Sequence, residues 1–185
     1  MEILKGIFKY LARKFEDLDR QWYKTLPSFQ SLSLELCRLE DARTSLIETY
    51  LTGDKWDEPS GRIKDPNDEA YYEKEIDSID KKLEALFAKK ECIVEGNLID
   101  KKKSVRVFNH RTGSTEIYFY FKVEIRSSDS RIPSKLTFDI GQARVPQKEI
   151  IFLHDIEIGQ NIRLHGEFCG LTGLRNARVI LPDQQ

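Results

Sequence analysis

The sequence predicts an α+β protein: an N-terminal antiparallel helical bundle or coiled-coil hairpin, followed by a five-stranded β-barrel. Three observations lead there. Through residues 1–90 apolar side chains recur at spacings of three and four, the rhythm of one helix face. From Cys92 onward the period drops to two, the rhythm of half-buried strands. Five such alternating segments then follow one another between Gly- and Ser-containing turns, the spacing of a small closed barrel.

The helical part divides into three amphipathic segments, about 2–24, 28–52 and 66–90. Leu4, Phe8, Leu11, Phe15, Leu18 and Trp22 form the first seam. Phe29, Leu32, Leu36, Leu39, Leu46 and Tyr50 form the second, interrupted by Arg43, and Tyr72, Ile76, Ile79, Leu83 and Leu86 the third. Pro27-Ser28 separates the first two segments, and Gly53 stands where a helix end calls for a left-handed residue. Asp65-Pro66 supplies an N-cap with proline at the first helical position. The linker 54–64, with Trp56, Pro59 and Gly61, is expected to be an exposed loop. Such single seams are satisfied by an intrachain three-helix bundle or by pairing with another chain, so a protein partner or self-association through this region is expected. The short first linker enforces antiparallel neighbours and favours the intrachain bundle.

The second part spans 91–185. Cys92, Val94, Gly96 and Leu98 alternate with Ile93, Glu95, Asn97 and Ile99. In 117–125 the inward set is Ile117, Phe119, Phe121, Val123 and Ile125, and the outward set is Tyr118, Tyr120, Lys122 and Glu124. After a Ser127-Ser128-Asp129-Ser130 turn, Leu136, Phe138 and Ile140 alternate again. The last two strands are 162–168 and 175–181, joined through Gly170-Leu-Thr-Gly173.

Composition sets the broad class. The chain has 185 residues, 33 % charged and 39 % hydrophobic, with net charge −1, an ordinary soluble balance. The charge is uneven: residues 1–90 hold 16 Lys/Arg against 19 Asp/Glu, and residues 91–185 hold 14 against 12. That permits a local basic patch in the second half. No apolar run suits a bilayer span and no cleavable signal is evident, so a cytoplasmic protein without membrane partner is expected. Cys37, Cys92 and Cys169 are odd in number and widely spaced, which favours reduced, packed thiols over metal or disulfide roles. The alternation of Ile3, Leu4, Ile7, Phe8, Leu11 and Phe15 with cations also suits an interfacial helix, but Glu16, Asp17 and Asp19 interrupt that face.

The segment 153–168 carries a resemblance. A glycine-led turn at Gly159 enters a strand alternating Ile162, Leu164 and Gly166, and a short strand with Ala177, Val179 and Leu181 follows. This is similar to strands four and five of OB-fold nucleic-acid-binding domains, over about residues 91–182. The resemblance implies that the outer face of strands two and three receives a single strand. Its flanking loops join strands one to two and four to five. On this chain that places Tyr118, Tyr120, Lys122 and Lys135 on the face, with Thr137 alongside. The first loop brings Lys101, Lys102, Lys103, Arg106 and Arg111, with His110, and the second leads into Arg175 and Arg178. Lysines and arginines would neutralise phosphates while tyrosines stack on bases. The helix usual between strands three and four would have to be the short stretch 146–153.

The same residues have plainer uses. An outward tyrosine pair also forms where a helix packs on a strand, and lysine-rich turns are commonly solvated. Glu124, Asp139 and Glu167 on the outward phase oppose a broad phosphate track, and Arg163 and His165 suit a small polar cluster with Glu167. Enzyme chemistry is not expected. His154-Asp155 lacks the further spaced ligands of a metal hydrolase, and the acidic residues around Asp54, Asp57, Glu58, Asp65, Asp68 and Glu69 lack the order of a calcium loop. No phosphate loop, dinucleotide fingerprint or nucleophile elbow is present, and Cys37 reads as packing. The sequence thus points to a non-catalytic, cofactor-free binder of single-stranded DNA or RNA. The alternative is a protein-interaction adaptor or oligomeric scaffold whose barrel binds no nucleic acid.

Overall fold

The computed structural model describes residues 14, 18, 20–103, 107–109, 113–116, 118–141 and 147–182. Two long helices, α1 (Phe29–Tyr50) and α2 (Pro66–Phe87), run antiparallel as a hairpin. Their ends are set locally. The Ser28 hydroxyl accepts a hydrogen bond from Ser31 N at 3.1 Å, and the Asp65 carboxylate accepts one from Asn67 N at 2.8 Å. Away from the sheet the hairpin is held by half-buried apolar residues and by surface contacts. Arg43 pairs with Asp80 at 2.9 Å, and the Tyr50 ring lies 6.0 Å from those of Tyr71 and Tyr72.

The linker between these helices is mostly exposed, as its composition suggests, but it is not irregular. It folds into a small hairpin of β1 (Trp56–Asp57) and β2 (Arg62–Ile63). Gly61 sits at φ +65° in its turn, and Ser60 Oγ donates to the Asp57 carboxylate at 2.5 Å. Ile63 is buried and Trp56 half-buried, which anchors the turn under an otherwise charged surface.

The second half contains β3 (Glu91–Lys103), β4 (Val107–Asn109), β5 (Ser114–Glu116), β6 (Tyr118–Glu124), β7 (Lys135–Gly141), α3 (Gln147–Asp155), β8 (Asn161–Phe168) and β9 (Leu174–Ile180). Five strands form one antiparallel sheet in the order β7-β6-β3-β8-β9. The sheet curls until β7 and β9 approach each other, giving a half-barrel. Curling needs the long β3 to change partners. It pairs with β8 over residues 91–97 and with β6 over 97–103, with a register shift between Leu98 and Asp100. The connection from β3 to β6, expected as a basic loop, includes the separate β4–β5 hairpin.

Alternation puts Leu98, Phe119, Phe121, Phe138, Ile162 and Leu164 inside the curl, all at most 1 % exposed. The same buried cluster continues into the helices through Phe29, Leu32, Leu36 and Leu86. The Phe168 ring lies 5.8 Å from that of Phe29 and 6.0 Å from that of Phe87. Cys37 and Cys92 are packed as expected, and burial pushes the Cys92 thiol up to about 12. Helix α3 matches the short helix expected between the third and fourth main strands, extended to Asp155, with Leu153 buried.

Of the first expected helix, Leu4, Phe8, Leu11 and Phe15 lie outside the described residues. Residues 20–25 are helical but do not pack in a seam with α1 and α2. Leu18 and Trp22 are 53 % and 43 % exposed, and the Trp22 and Tyr23 rings sit 4.9 and 5.5 Å from His165 on β8. Residues 27–28 then run beside β3. Ile93 N donates to Pro27 O at 3.0 Å, and Ser28 bridges Ile93. Among the described residues, no helix is long and apolar enough to cross a membrane.

A polar clasp ties the turn after β6 to α1. The Arg131 guanidinium donates to both Asp129 carboxylate oxygens, at 3.1 and 2.8 Å, and to Asp41 at 2.7 Å. Hydrogen bonds from the Arg131 side chain, then its backbone, lower the Asp129 pKa from 3.8 to about 2. A folded-state value below the unfolded one adds stability that is complete above about pH 4. It is lost as pH falls toward 2. Asp129→Asn should therefore flatten the fall in melting temperature between pH 4 and pH 2 relative to wild type. Parallel acid limbs in the two proteins would show that the clasp does not contribute.

Candidate functional site

The outer face of β3, β6 and β7 is built by strict register. Tyr120 stands between Lys102 and Asp139, Lys122 between Asp100 and Thr137, and Glu124 between Asn97 and Lys135. Directly opposed residues share a face, so these nine side chains project together from the convex side of the curl. Tyr120 is half-buried by its neighbours and Lys122 is exposed. Asp100, Lys102, Tyr120, Lys122 and Thr137 line a shallow depression of about 320 Å³. Among the described residues, no helical side chain lines it. Helices α1 and α2 instead dock around Phe168 and the turn after it, where an added Cβ on Gly170 would lie 3.4 Å from the Phe87 ring.

The sequence-predicted residues separate into groups. Lys102, Tyr120 and Lys122 come together, with Lys135 one row further along the strands. Tyr118, also half-buried, stands on the same face one row before Tyr120, opposite Gly141. Lys101 is engaged elsewhere. The register shift in β3 sets it opposite Phe121 on the inward phase, and its Nζ donates to the carbonyls of His154 and Ile156 at 2.6 and 2.9 Å. It thereby caps the C-terminus of α3, where a cation is favoured by the helix dipole. Lys103 faces Phe119 in the ladder but ends exposed at the rim. Arg106, His110 and Arg111 lie outside the described residues.

Arg175 and Arg178 belong to the other side of the sheet. They stand on β9 opposite Glu167 and His165, with β3 and β8 between them and β6. There the outward side chains of β8 do not gather into one cluster of Arg163, His165 and Glu167; each finds a separate partner on β3 or β9. His165 Nε2 lies 2.5 Å from a Glu91 carboxylate oxygen, Asn176 donates to Glu167 at 3.2 Å, and Arg163 Nε is 3.7 Å from Glu95. His154 presses its ring edge on Phe119, with centroids 4.9 Å apart.

Charge on the Tyr120 face is balanced. Lys102, Lys122 and Lys135 alternate with Asp100, Asp139 and Glu124, and Lys102 lies 3.4 Å from Asp100. Such a face offers an aromatic ring framed by cations without a continuous positive field. A second cleft, larger at about 590 Å³, opens where β6 ends. Lys24, Arg126 and Arg163 reach it from three distant segments, so no local signal in the sequence marks it. Among the described residues, no group of three or more His, Cys, Asp or Glu side chains could hold a metal ion. No family model, curated protein or solved structure matches the chain.

Proposed function

We propose that the half-barrel is an OB-like domain that binds single-stranded nucleic acid without catalysis, and that the α1–α2 hairpin serves assembly or partner contact. The observation that carries this reading is the depression around Tyr120, with Lys102 and Lys122 on the same face and, among the described residues, no helical side chain lining it. The part of the half-buried Tyr120 ring that faces the depression can stack on any base, and flanking ammonium groups can neutralise phosphates. The strand order β7-β6-β3-β8-β9, with α3 between β7 and β8, supports the comparison with OB folds, in which this same face is used.

The balanced charge on that face supports the alternative adaptor reading, in which the barrel is a scaffold and the helices recruit protein. Titration of a labelled oligonucleotide by fluorescence anisotropy separates the two. Tyr118→Ala with Tyr120→Ala should weaken binding by about 1–3 kcal/mol per stacked base while leaving the melting temperature close to wild type. An absence of wild-type binding at low salt would leave the adaptor reading in its place.

A further inference from the structure

The larger cleft lies between the segment preceding α1 and the convex face of the half-barrel. One wall holds Tyr23, Lys24, Leu26 and Ser28; the other holds Glu124 and Arg126, with Asn161 and Arg163 below. Its floor is the edge of β3. Leu98 turns its main chain toward β8, exchanging hydrogen bonds with Gln160 O and Gly159 N at 2.9 and 2.7 Å. Ile93, of opposite parity, turns away from β8 to reach Pro27 O. Glu95 shares the parity of Ile93, so its main chain faces the cleft between Ser28 and Glu124.

Two cations here differ from those of the Tyr120 depression. Lys24 and Arg126 are exposed and make no ion pair among the described residues, whereas Lys102 is paired with Asp100 and Lys101 is held by α3. Behind them, Arg163 Nε is closed off from solvent without a hydrogen-bond partner, its nearest carboxylate oxygen being that of Glu95 at 3.7 Å. Glu95 also accepts from Asn161 at 3.5 Å. Against Glu95 and Glu124 the three cations leave the cleft one positive charge in excess. The cleft also adjoins the depression along β6. Lys122 and Glu124 are outward neighbours on β6, and Arg126 follows two residues beyond the latter, so about 20 Å of strand separates Tyr120 from Arg126.

We infer that this cleft is the phosphate clamp of the strand-binding surface: Lys24 and Arg126 neutralise two phosphates of a single strand whose bases stack at Tyr120. The inference rests on the strand-binding reading and moves its charge from the lysines 101–103 to the far end of β6. A span of about 20 Å fits the site sizes of about 4–16 nucleotides found on barrels of this kind. The clamp exists only while the segment carrying Lys24 is docked on β3, which couples strand binding to that docking.

The test is the salt dependence of affinity for a labelled oligothymidylate of about 15 nucleotides, measured by anisotropy on the full chain. Each phosphate neutralised on a single strand contributes about 0.7 to the slope of log affinity against log salt. The double variant Lys24→Gln, Arg126→Gln should therefore reduce the slope by about 1.4. Both side chains are exposed, so its melting temperature should match wild type. Tyr120→Ala should weaken binding and leave the slope unchanged. A double variant that binds with the wild-type slope would overturn the clamp and leave the strand-binding reading standing. A wild-type protein that binds no strand at low salt would overturn both.

Discussion

Gly96→Ala is expected to lower the melting temperature by about 6–12 °C, a cost near 3 kcal/mol for a chain of this size. A Cβ at position 96 would lie 2.3 Å from the carbonyl oxygen of Glu124 and 2.8 Å from Val123 Cγ1. The first of these contacts is main chain, so relief requires the two strands to separate rather than a side chain to rotate. The close approach comes from the curl itself. At this point β3 leaves β8 for β6, and the end of β6 passes directly over Gly96. Gly61→Ala is the control. Gly61 has φ +65° with no atom within 4 Å of an added Cβ, so only the left-handed conformation is penalised, by about 1–2 kcal/mol. Thermal melts that place Gly96→Ala above Gly61→Ala would show that β3 and β6 do not cross so closely in solution.

The same crossing explains what the sequence could and could not reveal. Phe119, Phe121 and Val123 were legible as a core face because the strict period of two in β6 continues undisturbed. In β3 the period misleads twice. Ile93 lies on the outward phase, opposite His165, yet is 6 % exposed because residues 27–28 run alongside it. Lys101 sits on the inward phase because the register shifts between Leu98 and Asp100. A shift of one residue exchanges the two faces, and nothing in the composition of residues 98–100 announces it.

The candidate site was legible to the same extent as its strands. Tyr120, Lys122 and Lys102 meet because ladder register alone assembles them. Lys24, Arg126 and Arg163 meet only because the chain before α1 folds back across β3, a tertiary event without a local pattern. The helical seams of α1 and α2 are legible because their apolar faces meet each other and the half-barrel. Trp22 belongs to the same rhythm but spends its ring on His165, since two helices already satisfy each other.

Phe29→Ala is the other large effect expected, at about 3–5 kcal/mol. Phe29 is fully buried at the first turn of α1 and touches barrel and helix together, through the Phe168 ring and the cluster containing Leu86, Cys92 and Val94. Removing its ring leaves a cavity where neither element can collapse alone, because α1 is fixed by the Ser28 cap and by the bridge from Ser28 to Ile93. If one cooperative unit spans both halves, helical circular dichroism and the hydrogen-exchange protection of the β6 and β8 amides should be lost at one shared, lowered denaturant midpoint. A variant in which the α1–α2 hairpin melts first, with the barrel transition unmoved, would show two independently folding parts. Binding supplies the second readout. Phe29 directly follows the segment carrying Lys24, so loosening α1 should also weaken the cleft. Strand affinity should then fall in Phe29→Ala even under conditions where the barrel remains folded.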